Sequence, residues 1–574
     1  EALDIAEAED YLQVCLAPGD YTEDELLMRP GIGVQGGYQA DWTFDGNPAR
    51  ASVMVRDPAG ATFGPSAAGA SLDSLTVRAD PADDTAEHRA VVTVDGSPAV
   101  VTGCRLEGDN ASTLGGASAY GVRVVAGPAG LPVVIAGNPE ITGATATTPS
   151  HTYGVWAGSG DVLLLGSPAG LVGPRQSIKA GPALVDSFGV YVDGAAGARL
   201  EARQNYLLHG CSWGGSAGTL SAGVLLDGGS GHVVDGTQDI QGCAAPESFG
   251  VLTLGTSDTR IADNGLVLGR GSSVSAAMAD GYLAPEGTAT VGGSTGLQIL
   301  GNRSLWGSDI HQVDDNAPRL SVGIWLVESR NSLVADNGRR IDTGYAEMVI
   351  GGRVTNLEDP GFMAPVAPGL WTLGCSDVRI ERNYIHAGIF TDTPGADLPA
   401  VAVQDGLPGD DPVDSSGLVF DANAIVADVP ALDAPMVELS RSVAVRLFGT
   451  DGAELTNNLI ATMAGNHLFG VYLDRASARL INNSIDIDLK LHDGFACPSY
   501  VARFGVYGVA PRPGLRLVNN AVLIRRLDDP ACGGIKPNDD QAAIWFVLTT
   551  SPPQMPLSRF EHNVLFMQGD DLGT

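Results

Sequence analysis

Lysine is almost missing from this chain: Lys179, Lys490 and Lys536 are the three among 33 basic residues, set against 67 acidic ones, for a formal net charge of −34. Such a charge argues against binding nucleic acid or anionic membranes through a general basic field. Aromatic residues make up 6% of the chain, and no apolar run approaches the roughly 20 residues of a membrane-spanning helix. The seven cysteines include no CxxC pair, which speaks against a cysteine metal site. EF-hand loops, HExxH, GxSxG, P-loops and RTX nonapeptides are lacking. Apolar positions at three- and four-residue spacing, the mark of helical repeats, are lacking as well.

What the chain has is glycine, 76 residues with 34 prolines, and a phrase written thirteen times: an apolar or small residue, then Gly or Ala, then Val, Ile or Leu. It occurs at Tyr120-Gly121-Val122, Tyr153-Gly154-Val155, Phe188-Gly189-Val190, Ala222-Gly223-Val224, Phe249-Gly250-Val251, Thr295-Gly296-Leu297, Val322-Gly323-Ile324, Pro368-Gly369-Leu370, Ser416-Gly417-Leu418, Val443-Ala444-Val445, Phe469-Gly470-Val471, Phe504-Gly505-Val506 and Ala542-Ala543-Ile544. A period of roughly 25 to 48 residues signals stacked units, none of which buries its apolar face alone. A chain of 574 residues can then be one solenoid, because its core grows along a single axis.

Each unit has a second half, an alternating run that ends in Asn, as in Arg199–Asn205, Arg260–Asn264, Arg379–Asn383, Arg479–Asn483, Arg516–Asn520 and Arg559–Asn563. Period-two alternation predicts strands, and the Asn suits a corner in the left-handed region, where stacked amides would bond along the axis. This pattern resembles the right-handed parallel β-helix of the pectate-lyase-like secreted bacterial proteins. The expected fold is all-β: a right-handed parallel β-helix solenoid with a short N-terminal cap, residues 1–30 forming cap and first coil and 31–574 one continuous helix. A capping element is expected around residues 3 to 10, since an open end exposes apolar side chains and unpaired backbone. Residues 267–294, 342–366 and 390–415 read as loop insertions, and the strand-like ending at Met567 as a chain that continues or is covered.

If coils stack in register, shared offsets become neighbours. Cys497 and Cys532 each lie 27 residues after a phrase glycine, and Cys211 and Cys243 lie at offsets of 22 and 20 in successive coils. Both pairs are expected as disulfides, which needs an oxidising compartment and so a secreted or bacterial cell-surface protein. Cys15 with Cys104 is a further pairing to test, leaving Cys375 free; the competing reading is seven reduced, buried thiols.

With the phrase glycine as zero, alternation sends minus one, plus one and plus three into the core and plus two outward. The outward column contains Trp156, Tyr191, Trp325, Trp371, Tyr472, Tyr507 and Trp545, a candidate platform for the apolar faces of glycan sugars or for a sister subunit, with Tyr472, Tyr507 and Trp545 its most open part. Burial of these rings under returning loops is the alternative. A second column, Arg199, Arg260, Arg379, Arg479, Arg516 and Arg559, either forks to anionic sugar groups or pairs with neighbouring acids.

Enzymes of the resembled class work beside one sheet with clustered carboxylates, calcium and a base. The densest polar strand here places Asp486, Asp488, Lys490 and His492 on one face, the catalytic candidates of a lyase or hydrolase. A solvated strand edge has the same look. Acidic doublets such as Asp83-Asp84, Asp314-Asp315, Asp410-Asp411, Asp528-Asp529 and Asp539-Asp540 are candidates for structural calcium; no other cofactor is indicated. Two functions follow. The first is a structural or adhesive surface protein that binds glycans or self-assembles; the second is a polysaccharide lyase or glycoside hydrolase acting on an acidic polysaccharide.

Overall fold

The computed structural model describes residues 1–79, 86–109, 117–128, 130–145, 149–166, 175–211, 215–283, 290–308, 320–338, 347–351, 353–354, 367–390, 397–405, 415–427, 441–463, 467–488, 502–525, 540–547 and 557–567. They group into two compact units, Glu1–Gly271 and Ser272–Thr574. Each unit is wound from three parallel sheets, the coil of a right-handed parallel β-helix. The first sheet carries the glycine phrase, as in Ser118–Ala126 and His467–Asp474; the second carries the Arg-led runs, as in Ala198–Arg203 and Ala478–Ile481; the third follows the Asn corner, as in Leu207–His209 and Ser484–Ile487. At the N-terminus a helix, Ala2–Ala8, sits before the first strand and buries Ala6, which is the expected cap.

Stacking is in register. Val190 pairs with Val224 and Val224 with Val251, and all three are fully buried in one internal file. Residues at plus one and plus three line the core as expected, among them Val122, Val124, Val471 and Leu473.

The minus-one residues do not. Each first-sheet ladder passes over the glycine: Tyr120 pairs with Tyr153 and Val122 with Val155, while Gly121 and Gly154 stay unpaired between them. A Cβ on Gly154 would lie 2.5 Å from Ile178 Cγ2, and one on Gly470 2.5 Å from Ile485 Cγ2, so the glycine faces inward where a third-sheet isoleucine fills the space. With zero and plus one both inward, alternation slips by one, as at a β-bulge. Minus three, minus one and plus two therefore share the outer face. Val443, Phe469, Ala502 and Phe504 accordingly form an apolar cluster with Tyr472 and Tyr507, separate from the main core.

The corner also differs from expectation in one respect. The left-handed φ belongs to the residue before the Asn: Gln204 (φ 55), Asp263 (55), Arg382 (54), Ala422 (55), Asn482 (57) and His562 (54). The Asn itself turns inward. In the second unit Asn302, Asn337, Asn383, Asn423, Asn458, Asn483, Asn520 and Asn563 form a ladder in which each Oδ1 accepts from the backbone N–H and Nδ2 of the previous rung. From Asn337 onward each Nδ2 also reaches back to a strand carbonyl, as Asn483 does to Leu455 O at 2.8 Å.

Three segments read as insertions contain coil strands. Gly271–Asp280 and Asp397–Gln404 belong to the first sheet, and Val349–Ile350 to the third. Conversely, Gly296 (φ 72) and Gly417 (φ 63) sit in turns leading into the second sheet, so two of the thirteen phrases are not first-sheet strands. Cys211 and Cys243 form the expected disulfide across adjacent coils, with Cα atoms 5.5 Å apart. Cys15 and Cys104 are not joined; both are free, as is Cys375. Cys497 and Cys532 lie outside the described residues.

Candidate functional site

The outer face of the first sheet in the first unit gathers chemistry that single strands do not show. Its minus-three file runs His88, Ser118, His151, Asp186, each the register partner of the next. Beside it run Tyr120, Tyr153 and Phe188 at minus one, then Arg123, Trp156 and Tyr191 at plus two.

His151 Nδ1 lies 3.1 Å from Asp186 Oδ2, and both side chains retain partial exposure. His88 Nδ1 meets the Tyr120 hydroxyl at 3.2 Å. Burial, then the nearby Arg123 charge, lowers the His88 pKa below the usual histidine value. Burial raises the Tyr120 pKa, and that of Tyr153 further, where Tyr120, Tyr191 and Asp186 add to the effect. The Tyr191 pKa is raised first by burial and then by Asp227, whose Oδ2 accepts its hydroxyl at 3.1 Å. The phenols are thus held as neutral donors.

The Arg123 guanidinium carbon stands 5.4 Å from the Tyr120 ring centre and 5.7 Å from that of Trp156, a cation–π seat. Among the described residues Arg123 has no carboxylate partner, and its buried Nε is without a hydrogen bond. Arg78, Arg105, Arg203, Arg382 and Arg525, by contrast, pair with acids.

The rings do not present the flat platform that the outward column implied. Tyr120 and Tyr153 lie parallel at 4.9 Å (8° between planes), Tyr472 and Tyr507 at 5.5 Å (21°), and Trp325 and Trp371 at 5.1 Å (3°). Parallel rings this close are offset stacks, so neighbouring coils cover much of each other's faces. Trp325 and Trp371 are moreover only 1% exposed, which closes both to a ligand, whereas Trp545 is 51% exposed. Trp156, Tyr191, Tyr472 and Tyr507 are half-buried.

Asp486 and Asp488 do share the outer face of their third-sheet strand, with Ile485 and Ile487 buried opposite. Asp486 is taken up by a two-pronged pair with Arg525, at 3.0 and 2.8 Å. Lys490 and His492 lie outside the described residues, as do the acidic doublets apart from Asp540, whose backbone opens a strand. Among the described residues no group of three His, Cys, Asp or Glu side chains converges as a metal site. The first-unit cluster went unread because its members lie about one coil apart in sequence; the available signal was the residue three before each phrase glycine, which is His at 151 and 467 and Asp at 186.

No protein-family model matches the chain, and no curated protein matches it. Solved structures similar to it include the A-module of the Azotobacter vinelandii mannuronan C-5 epimerase AlgE6 (10% identity, 98% of this chain and 93% of that chain, TM-score 0.22). The PL6 family alginate lyase AlyGC is another (10% identity, 98% and 96%, TM-score 0.23). The periplasmic alginate epimerase AlgG is a third (8% identity, 90% and 78%, TM-score 0.26).

Proposed function

We propose that this chain is an extracellular protein acting on an acidic polysaccharide, with its site on the outer face of the first sheet in the first unit. The observation that carries the reading is the His151–Asp186 pair flanked by Tyr120, Tyr153 and an Arg123 that no carboxylate neutralises. Asp186 orients His151 through Nδ1, which leaves Nε2 to take a proton from the sugar carbon beside a carboxylate. Arg123 pairs with that carboxylate, and the buried phenols donate to glycan oxygens. The disulfide supports an oxidising, extracellular setting.

The test is incubation with polyuronates and with neutral glucans, following the ultraviolet absorbance of unsaturated ends and new reducing ends. Product from a polyuronate that vanishes in His151→Ala is the expected result. Binding without product from any polymer would sink the enzymatic reading and leave the second one, an adhesive glycan-binding protein, which the exposed Trp545 favours.

A further inference from the structure

We propose that the arginine file on the second sheet of the second unit, Arg479, Arg516 and Arg559, binds a linear glycan carrying a carboxylate or sulfate on successive sugars. The three are direct register partners on adjacent strands. Neighbouring strands are spaced about 4.8 Å apart, so the cations repeat at close to the advance of one sugar in an extended chain. All three are exposed, while Leu480, Leu515 and Leu517 anchor the strands of Arg479 and Arg516 in the core. A rigid sheet therefore presents the charges, and binding orders no loop.

Like charges directly opposed across strands destabilise a sheet, and this file opposes three. Two have partial relief: Arg479 lies 3.6 Å from Glu454 and Arg559 2.6 Å from Glu561. Arg516, between them, makes no ion pair among the described residues. Elsewhere the same column is satisfied locally, Arg199 by Gly231 O, Arg260 by Asp263 and Arg379 by Glu381. In a protein of net charge −34, a file of three cations with one unmatched at its centre is the local exception. A guanidinium offers a planar fork that fits carboxylate and sulfate equally, so both anions fall within the proposal.

The experiment measures binding of the full chain to polygalacturonate, dextran sulfate, neutral dextran and a single-stranded oligonucleotide by calorimetry. Expected is binding to polygalacturonate, dextran sulfate or both, the pattern telling carboxylate from sulfate, with neutral dextran inert. Arg516→Glu should weaken it about tenfold or more and Arg516→Lys much less. Undiminished binding by Arg516→Glu, equal binding of neutral dextran, or an oligonucleotide bound as tightly as the glycans would each overturn the assignment. The site is independent of the chemistry proposed for His151: His151→Ala should retain this binding, and Arg516→Glu should retain any turnover of short oligomers.

Discussion

Asn458 donates through Nδ2 to Asn483 Oδ1 at 3.0 Å, and the same oxygen accepts the Asn458 backbone N–H at 3.0 Å. One amide thus satisfies two buried donors of the coil before it while its own Nδ2 binds Leu455 O and Asn520 Oδ1. The left-handed residue preceding it, Asn482, is held in place by that network, which offsets a backbone conformation costing on the order of 1 kcal/mol.

Asn483→Ala should therefore destabilise the second unit well beyond the loss of one hydrogen bond. It strands the Asn458 backbone N–H and one Nδ2 hydrogen, each costing about 1–3 kcal/mol when unsatisfied, and takes a donor from Leu455 O, while Asn520 Oδ1 keeps the backbone N–H of residue 483. Urea unfolding should show a midpoint lowered accordingly, with Asn482→Ala on the exposed corner far milder.

Gly470→Ala should also be costly, because the new methyl would sit 2.5 Å from Ile485 Cγ2 and 2.6 Å from the Gly505 carbonyl oxygen. Overpacking of this kind costs about 1–3 kcal/mol. In an Ile485→Ala background, which lacks Cγ2, adding Gly470→Ala should cost markedly less in the same unfolding assay; an unchanged cost would count against the inward-facing glycine.

Acid should weaken the first unit through His232. Its Nδ1 accepts from Leu200 N–H at 3.2 Å, so Nε2 carries the proton and donates to Gly228 O at 2.9 Å. Burial holds its folded pKa below the ordinary value of 6.5. Above 6.5 the ring is neutral in both folded and unfolded chains and pH changes nothing. As pH falls below 6.5, the unfolded chain binds the proton first and stability drops until the folded pKa is passed. Melting temperatures at successive pH values should show this decline, and His232→Gln should flatten it.

Thiol chemistry gives a fourth check. Burial pushes Cys104 and Cys375 up to about 12, and neither surface is open, whereas Cys15 is exposed. A thiol reagent on the native protein should label Cys15 and spare Cys104 and Cys375. Cys211→Ser with Cys243→Ser should lower stability by about 2–4 kcal/mol, read by denaturant unfolding.

For the proposed chemistry, Asp186→Asn should cut turnover by about a hundredfold or more with little change in glycan affinity, since it leaves the imidazole without its orienting carboxylate. Affinity and turnover lost in parallel would point to a binding role instead.

Much of this architecture is legible in the residues because stacking converts sequence offset into neighbourhood. The Val190–Val224–Val251 file and the Cys211–Cys243 bridge both follow from offset alone. Alternation fails where the backbone skips: counting by twos through Gly121 puts Tyr120 inside, although the unpaired glycine turns it outward. The coil at Gly271–Asp280 was hidden because Ala276-Ala277-Met278 has Met where the phrase has Val, Ile or Leu. His151 and Asp186 are 35 residues apart, and neither stands out until the register joins them.

The residue before the corner Asn is Gln204, Asp263, Arg382, Ala422, Asn482 or His562 in different coils, yet all six share one φ near 55°. Backbone shape at that corner is imposed by the amide rung next door and owes nothing to the side chain it carries. Each turn of the solenoid thus holds one address, repeated at a fixed interval along its flank, where charge or polarity can be rewritten without disturbing the winding beneath.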